Sequence, residues 1–450
     1  MAIDPKAIIH PQAANSLYDT MSQLQSPHSL ISNRLHSIAN DALSVGPVAW
    51  DYGFVVVANQ RSGSWYVNPE LQADPVDAYF KSTDGHFGQW AFSLRRLNLG
   101  VLDAMNQYDQ GGCVIVDSTR KGKSMSDALA KTIPIWVTVF NRLLFPDDPT
   151  WHALRTPVNV VSASEHTQIE SRMDGFLASV KNLELNLKAL RRKLRGKPMK
   201  VEWLGKQSSH WPTLDPKPRK FNVLILYTAS GASSTCDQMG EKYVPGAADD
   251  SESWARGLEA RTWWKHQGKL LKTNEDDLPG VIDELVRACQ PRILPAPPVR
   301  IEPATLLWVG DNTSALTQPF DVIISASAEP EPVLADTFGT RYIHLRCGEG
   351  KVGSRDLRTQ LPRIEMLRPV VHDTSRILAC CPTGTDLAVG IALAVACRFC
   401  DADGALCQDG PVSHVTKNLI QQRLSWILIS APRTSPSRAT LSSVNHFLFG

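Results

Sequence analysis

The sequence predicts an α/β protein: an N-terminal mixed α/β domain with a long helix, then a C-terminal α/β domain with a mostly parallel sheet. Three observations predict it. Past residue 305, strand-like apolar runs come first and helical tracts follow, the ingredients of an open, largely parallel sheet. Between residues 162 and 198, one apolar seam advances by steps of four and three between helix signals at both ends. Between these regions, Pro291, Pro295, Pro297 and Pro298 punctuate the chain, which places the boundary there and gives domains of residues 1–298 and 299–450.

The elements follow in order. Residues 16–43 read as helical with a break at Pro27, and 54–58 as a strand. Residues 113–116 form a short buried-strand pattern, and 125–144 look helical with Pro134 as a kink. The seam is Ile169, Met173, Phe176, Val180, Leu183, Leu187, Leu190 and Leu194. Ser162 and Glu165 have capping-box spacing ahead of it, and Gly196 and Pro198 stop it, so one continuous helix is expected. Residues 221–227 read as a buried strand, and 243–271 carry Trp254, Trp263 and Trp264. Strands are expected at 305–309, 321–325, 341–345 and 376–381, and helices at 387–399 and 415–428.

A hydrophobic fraction of 43% with 20% charged residues suits a globular protein with a real core. The formal net charge of +2 neither requires nor excludes a nucleic-acid partner, so an RNA-binding reading must rest on local patches. No secretory signal and no bilayer-spanning stretch is expected. Nine cysteines, an odd number with several in apolar runs, read as reduced thiols of a cytoplasmic protein. Cys397 and Cys400, with Cys407 beyond, have no second pair at zinc spacing, and a packed helix end is expected there.

Residues 376–390 read strand, tight loop, helix. Such a loop gathers backbone N–H groups in one concavity, and the helix start adds positive potential, which suits a phosphate. Thr383, Gly384 and Thr385 are small enough for close backbone approach. The spacing resembles the phosphate loop of dual-specificity protein phosphatases, with Cys381 at the nucleophile position and Gly384 at the loop glycine. The sequence departs from that family in two places: Cys380 replaces the histidine before the nucleophile, and Leu387, beside Asp386, replaces the closing arginine. Without that arginine the bidentate clamp on a phosphate is lost. The resemblance therefore implies a phosphatase-like fold and a phosphate-binding site rather than phosphatase chemistry. Lys351 and Arg355 are the best substitutes for the missing cation. Cys381 also has a plain structural reading, as a buried core thiol.

Three further segments extend the resemblance. They are Lys81-Ser82-Thr83-Asp84-Gly85-His86, continuing to Arg95 and Arg96; residues 114–123, with Asp117, Ser118, Thr119, Arg120 and Lys123; and residues 243–254, with Asp249 and Asp250. Together with the Cys381 loop, and in this order, they resemble the signature segments of the initiator-tRNA phosphoribosyltransferases of fungi and plants. The resemblance implies transfer of a 5-phosphoribosyl group from 5-phosphoribosyl-1-pyrophosphate to the 2′-hydroxyl of adenosine 64 in initiator methionine tRNA. Pyrophosphate is released and the tRNA is kept out of elongation. Neither DNA nor a membrane is implied as a partner.

Breaking the anomeric C–O bond builds positive charge on the sugar and negative charge on pyrophosphate. The site needs cations or Mg²⁺ at the pyrophosphate and a base near the attacking hydroxyl. Lys81, Thr83, Arg95, Arg96, Ser118, Thr119, Arg120 and Lys123 are candidate phosphate contacts in the N-terminal segments. Lys351, Arg355, Cys381, Thr383, Gly384, Thr385 and Asp386 are the candidates in the C-terminal domain. Asp84, His86 and Asp117 are candidates for base or metal roles, and their order is open. Plain readings stand beside these: Arg95 and Arg96 as a solvated edge, His86 as a structural hydrogen-bonder, Asp249 and Asp250 as a helix cap. Residues 117–124 have the length of a Walker A loop, but Asp117 stands where that motif needs glycine.

A basic cluster closes the seam: Lys188, Arg191, Arg192, Lys193, Arg195, Lys197 and Lys200. A helix C-terminus favours cations by itself. Seven in so short a stretch exceed that need, and tRNA phosphates are the expected partner, with RNA read mainly by shape. Two other functions stay open: a phosphatase-like hydrolase using Cys381, and a non-catalytic RNA-binding protein with a degenerate phosphatase loop.

Overall fold

The computed structural model describes residues 30–449 apart from 61, 73–77, 120–122, 207, 209–210, 215–218, 231–245, 248–253, 289–296, 408–411 and 413. Its strands are β1 (Val55–Ala58), β2 (Gly112–Asp117), β3 (Met199–Gly205), β4 (Asn222–Thr228), β5 (Val299–Arg300), β6 (Leu307–Asp311), β7 (Val322–Ser327), β8 (Tyr342–Arg346) and β9 (Ile377–Cys381). Its α-helices begin with α1 (Ile31–Ala42), α2 (Val45–Tyr52), α3 (Gly100–Ala104), α4 (Ile133–Leu144), α5 (Ala163–Glu170), α6 (Met173–Lys181) and α7 (Leu187–Lys193). They continue with α8 (Ala260–Leu270), α9 (Leu278–Ala288), α10 (Pro332–Phe338), α11 (Gly350–Gln360), α12 (Leu387–Phe399), α13 (Lys417–Ser430) and α14 (Arg438–Phe449). Two compact units result. Residues 1–92, 100–173 and 187–290 make the first, and 93–99, 174–186 and 291–450 the second.

The first unit is built on four parallel strands in the order β1-β2-β4-β3. β2 and β4 are buried along their whole length, as parallel strands covered on both faces must be. Val56, Val114, Val116, Val223 and Ile225 share one core with Leu35, Ile38, Val45, Val48, Trp65, Trp254 and Trp263. Their alternates Cys113, Ile115, Leu224 and Leu226 are equally buried. α4 is pinned to β3 by Asn141, whose Nδ2 donates to the Met199 carbonyl (2.8 Å) and whose Oδ1 accepts from the Met199 N–H (2.9 Å).

One expectation for this stretch of chain is corrected. The single seam helix is three shorter helices, α5, α6 and α7. The chain turns at Ser171 and Arg172, and again over 182–186, where Glu184 takes a left-handed φ of 51°. Six of the eight seam residues are buried, Ile169, Met173, Val180, Leu183, Leu190 and Leu194, with Phe176 and Leu187 half-buried, but residues 174–186 pack in the second unit and the flanking helices in the first, so they do not form one seam. Ser162 Oγ accepts from the Glu165 N–H (3.2 Å), the forward half of a capping box. Residues 127–144 run as one continuous helix, as expected, and the disturbance at Pro134 takes the form of a π-turn at Ala128–Thr132 just ahead of it. The proline has no N–H to give the preceding turn, and the Leu129 carbonyl accepts from Trp203 Nε1 (3.0 Å) instead.

The second unit has a five-stranded mixed sheet in the order β5-β6-β9-β7-β8, parallel throughout except for β5 against β6. α12 occupies the residues expected for it, and apart from Arg398 its residues are buried. The Arg398 guanidinium donates to Glu365 Oε1 (2.8 Å). Cys380 and Cys381 end the central strand facing opposite ways. Cys381 belongs to the large core with α12, and Cys380 to a smaller one with Phe320 and Leu378. Among the described residues, no helix is long and apolar enough to cross a membrane.

Candidate functional site

In the first unit the parallel register brings the carboxyl ends of β1, β2 and β4 to one edge, the usual place for ligands in open α/β sheets. Asn59, one residue past β1 and 3% exposed, organises that edge. Its Nδ2 donates to Asp117 Oδ2 (3.1 Å) and to the Phe80 carbonyl (3.0 Å), while its Oδ1 accepts from the Phe80 N–H (2.7 Å). The Lys81–His86 stretch is thus anchored beside Asp117. Asp117 Oδ2 also accepts from Ser126 Oγ (2.7 Å). Burial pushes the Asp117 carboxyl up, against hydrogen bonds from Ser126, the Ser118 backbone, Asn59 and Ser62.

Asp117 Oδ1, Ser118 Oγ, Thr119 Oγ1 and Thr228 Oγ1 are buried and have no hydrogen-bond partner among the described residues. Buried polar atoms nearly always find partners, so four such atoms together at the carboxyl end of the sheet make it the candidate site. The Thr119 N–H is held by Ser230 Oγ at 2.9 Å.

The residue after Ser126 carries the edge to His86. Asp127 accepts from Lys123 Nζ (2.7 Å) and pairs with Lys131 Nζ (2.9 Å), and its Oδ2 lies 3.6 Å from His86 Nε2. Lys131, on the π-turn, bridges on to Glu165 Oε1 (2.9 Å), which also accepts from Trp90 Nε1 (3.0 Å). Burial alone pushes the Asp127 carboxyl up, but the two lysines outweigh it and hold it below its usual value. Burial opposes the charge on Lys131, and its two carboxylates more than offset this, raising its pKa. Asp84 is half-buried, and burial pushes its carboxyl up against the pull of Lys81 and His86. Sequence reasoning missed Asn59, Ser126, Asp127, Lys131, Glu165 and Thr228. The spacing of Lys123, Asp127 and Lys131 at steps of four was the available signal.

Lys81 and Thr83 are exposed, and the Lys81 carbonyl accepts from Thr132 Oγ1 (2.9 Å). Arg120, Asp249 and Asp250 lie outside the described residues. Lys188, Arg191, Arg192 and Arg195 are exposed. Arg191 donates to the Leu144 carbonyl, and Lys193 pairs with Asp103 (2.7 Å), so two members of the basic cluster also hold local structure.

Arg95 and Arg96 belong to the second unit. Arg95 donates to the Pro436 carbonyl and Arg96 to Ser435 Oγ (2.6 Å). The same turn closes the Cys381 loop: the Ser435 N–H donates to the Thr385 carbonyl (2.9 Å) and the Ser437 N–H to Asp386 Oδ1 (2.8 Å). Burial and the neighbouring Arg438 lower the Arg95 pKa, while Asp386 raises it. The cations flanking the loop include Arg95 and Arg438, whereas Lys351 and Arg355 stand exposed on α11. Gly384 takes φ 67°, and a Cβ there would lie 2.9 Å from the Asp311 nitrogen and the Gly310 carbonyl carbon, so only glycine fits. Cys381 is 2% exposed, with Sγ 3.6 Å from Thr383 Oγ1, and the Thr385 N–H is turned onto that same hydroxyl (3.4 Å).

Among the described residues, no group of three or more His, Cys, Asp and Glu is placed to hold a metal ion. Cys397 and Cys400 are buried, and burial pushes the Cys400 thiol up to about 12.

Comparison with known proteins gives two family matches, one described as the Rit1 N-terminal domain over residues 24–287 and one as the Rit1 DUSP-like domain over residues 341–448. The chain is 30% identical over 500 residues to the tRNA A64-2′-O-ribosylphosphate transferase of Saccharomyces cerevisiae, covering 96% of each. It is 33% identical over 438 residues to an uncharacterized protein of Schizosaccharomyces pombe, covering 92% of this chain and 93% of that one. Among solved structures, human DUSP28 matches at 14% identity and a TM-score of 0.26, covering 35% of this chain and 95% of that one.

Proposed function

The chain belongs to the Rit1 family, and from that premise we propose that it transfers a 5-phosphoribosyl group from 5-phosphoribosyl-1-pyrophosphate to the 2′-hydroxyl of adenosine 64 in initiator methionine tRNA. Pyrophosphate leaves, and the added charge and bulk exclude the tRNA from elongation. One observation carries the reading: near-complete coverage at 30% identity by a transferase of this activity. The cytoplasm is the compartment we assign, in keeping with the buried thiols of Cys113, Cys347, Cys380, Cys381, Cys397 and Cys400.

We place the sugar donor at the carboxyl edge of the first unit's sheet. The hydroxyls of Ser118, Thr119 and Thr228 can donate to phosphate or ribose oxygens, and Asp117 Oδ1 can accept from a ribose hydroxyl. Lys81 and Lys123 supply cations for the leaving pyrophosphate. Mg²⁺ typically needs only one or two protein carboxylates besides substrate phosphates, and Asp117 fits that demand. When bound, the ion would neutralise charge on the departing pyrophosphate.

The Cys381 loop, with Arg95, Arg96 and Arg438 beside it, serves in this reading as an anion platform for the RNA backbone. The exposed Lys188, Arg192 and Arg195 add a second basic surface in the first unit. Reversing the charges of Lys188 and Arg192 is expected to weaken tRNA binding and to lower the salt slope of log Kd by about 1.4 to 1.8, at roughly 0.7–0.9 per lost phosphate contact. Filter binding across a salt series checks this, and an unchanged slope removes α7 from the RNA footprint.

The test of the function is direct. Purified protein, donor labelled in the ribosyl phosphate, and Mg²⁺ are mixed with initiator or elongator methionine tRNA. Label is expected on initiator tRNA at nucleotide 64. Release of inorganic phosphate from an aryl phosphate, with no label on RNA, would instead support the hydrolase reading.

A further inference from the structure

His86 and Asp127 form a histidine–carboxylate pair at the edge of the donor site, and nothing in the family comparison assigns them. Gly85 sets the approach. A Cβ on it would lie 2.6 Å from the Asp127 carbonyl oxygen and 2.9 Å from Thr132 Oγ1, so any larger residue would drive His86 away from Asp127. Asp127 is held from the other side by Lys123 and Lys131, and its side chain is 11% exposed. The His86 side chain is 51% exposed, so one nitrogen meets the carboxylate while the ring still reaches solvent.

We infer that His86 is the general base that takes the 2′-hydroxyl proton of the acceptor nucleotide, and that Asp127 is the positioning residue that fixes its ring and tautomer. The inference rests on the transferase reading above. With Nε2–H directed at Asp127, the lone pair of neutral imidazole sits on Nδ1. As O2′ attacks the donor, the O2′–C1 bond forms and the C1–O bond to pyrophosphate breaks. Pyrophosphate leaves with the electron pair, and the 2′-hydroxyl proton passes to Nδ1. The 3.6 Å separation is long for a hydrogen bond, as such pairs commonly are before substrate binds.

The surroundings suit an RNA acceptor. Phe87, next in sequence, is 68% exposed and lies edge-on to Trp90 with ring centroids 5.3 Å apart. Arg172 covers the same Trp90 ring at 4.8 Å. An exposed aromatic beside the base offers a stacking surface to an RNA nucleotide. The groups that set the field at His86 are Asp84 on its own segment and Asp127 on the π-turn segment. Lys81 stands beside Asp84, and Lys123, Lys131 and Glu165 stand behind Asp127.

The test uses the full chain in the labelled transfer assay with saturating donor, over a pH series, with and without added imidazole. Wild type, His86→Ala, Asp127→Asn and the double variant are compared. His86→Ala is expected to lower kcat by about 100-fold or more with little change in KM for tRNA, the usual scale of general-base catalysis. The acidic limb of the pH profile should vanish, and imidazole should restore part of the rate. Asp127→Asn should lose much of the same factor, and the double variant should be no slower than His86→Ala alone, because Asp127 acts only through His86. His86→Ala at or near the wild-type rate overturns the inference, as does a double variant whose losses multiply. A wild type that transfers nothing overturns the transferase reading instead.

Discussion

Asp117→Asn is expected to abolish transfer while making the protein more stable at neutral pH. Asp117 is 1% exposed, and only Oδ2 is partnered among the described residues. A buried carboxylate with one bare oxygen is costly when ionised and is retained where a ligand completes it. Because burial raises its folded-state pKa above the unfolded value of 3.8, the folded protein holds the extra proton in the window between the two. Stability therefore falls as pH rises through that window, and the full penalty persists above it. Asparagine keeps the shape and an acceptor for Asn59 and Ser126 but cannot ionise. The melting temperature of Asp117→Asn should match wild type near the bottom of the window and exceed it at neutral pH, by roughly 2–4 °C for each kcal/mol recovered. Transfer should fall by about 100-fold or more, the scale of losing a main electrostatic contact in a transition state. Thermal melts and the labelled assay on the same preparation check both halves; a variant that is less stable and fully active contradicts the assignment.

Lys131→Met is expected to be among the most destabilising single changes at this edge. Lys131 Nζ lies 2.9 Å from both Asp127 and Glu165, with its side chain 8% exposed. Removing it leaves two mostly buried carboxylates short of a cation: among the described residues, Glu165 keeps Trp90 Nε1, and Asp127 keeps Lys123 and the more distant His86. Breaking a buried pair from one side costs about 3–5 kcal/mol. The sign with pH follows from the shifts. The depressed Asp127 pKa means its contribution is present above the ordinary aspartate range and lost as pH falls through the folded value. The raised Lys131 pKa means its contribution is present below the ordinary lysine range and lost as pH rises through the folded value. The deficit of Lys131→Met should thus be full near pH 7 and smaller near about pH 3, below the ordinary aspartate value, as pH falls through the depressed Asp127 value. Urea melts at the two pH values measure this, and a deficit that does not change with pH would separate Lys131 from the network.

Much of the sheet framework was legible because buried parallel strands leave continuous apolar runs. β2, β4 and β9 showed themselves that way, and α12 did because nearly every residue in it is apolar. β3 was not legible. It lies at the sheet edge, alternates buried with half-buried positions, and pairs Lys200 with Glu202 on its open side. The apolar residues from Ile169 to Leu194 are mostly buried, yet periodicity alone does not register that the chain turns twice within them and that the middle stretch packs in the other unit. Of the proposed site, Asp117 and His86 were visible as motif residues. Their partners were not, because Lys131 and Glu165 are 34 residues apart and look like ordinary solvated charges until the fold brings them together. Arg95 and Arg96 follow the Lys81 segment in the chain but pack with the turn that closes the Cys381 loop, a placement no local pattern reveals.

The central claim is that ribosyl-phosphate transfer happens at the sheet edge of the first unit, with the phosphatase-like loop of the second unit binding anions and performing no thiol chemistry. The most direct measurement is single-turnover transfer of labelled ribosyl phosphate to initiator tRNA by Cys381→Ser beside Asp117→Asn, with folding of each confirmed by its melting curve. A serine variant that transfers at close to the wild-type rate, beside an asparagine variant that transfers almost nothing, is the predicted outcome. A folded, tRNA-binding Cys381→Ser protein that has lost transfer, beside an active Asp117→Asn protein, would move the chemistry to the other unit.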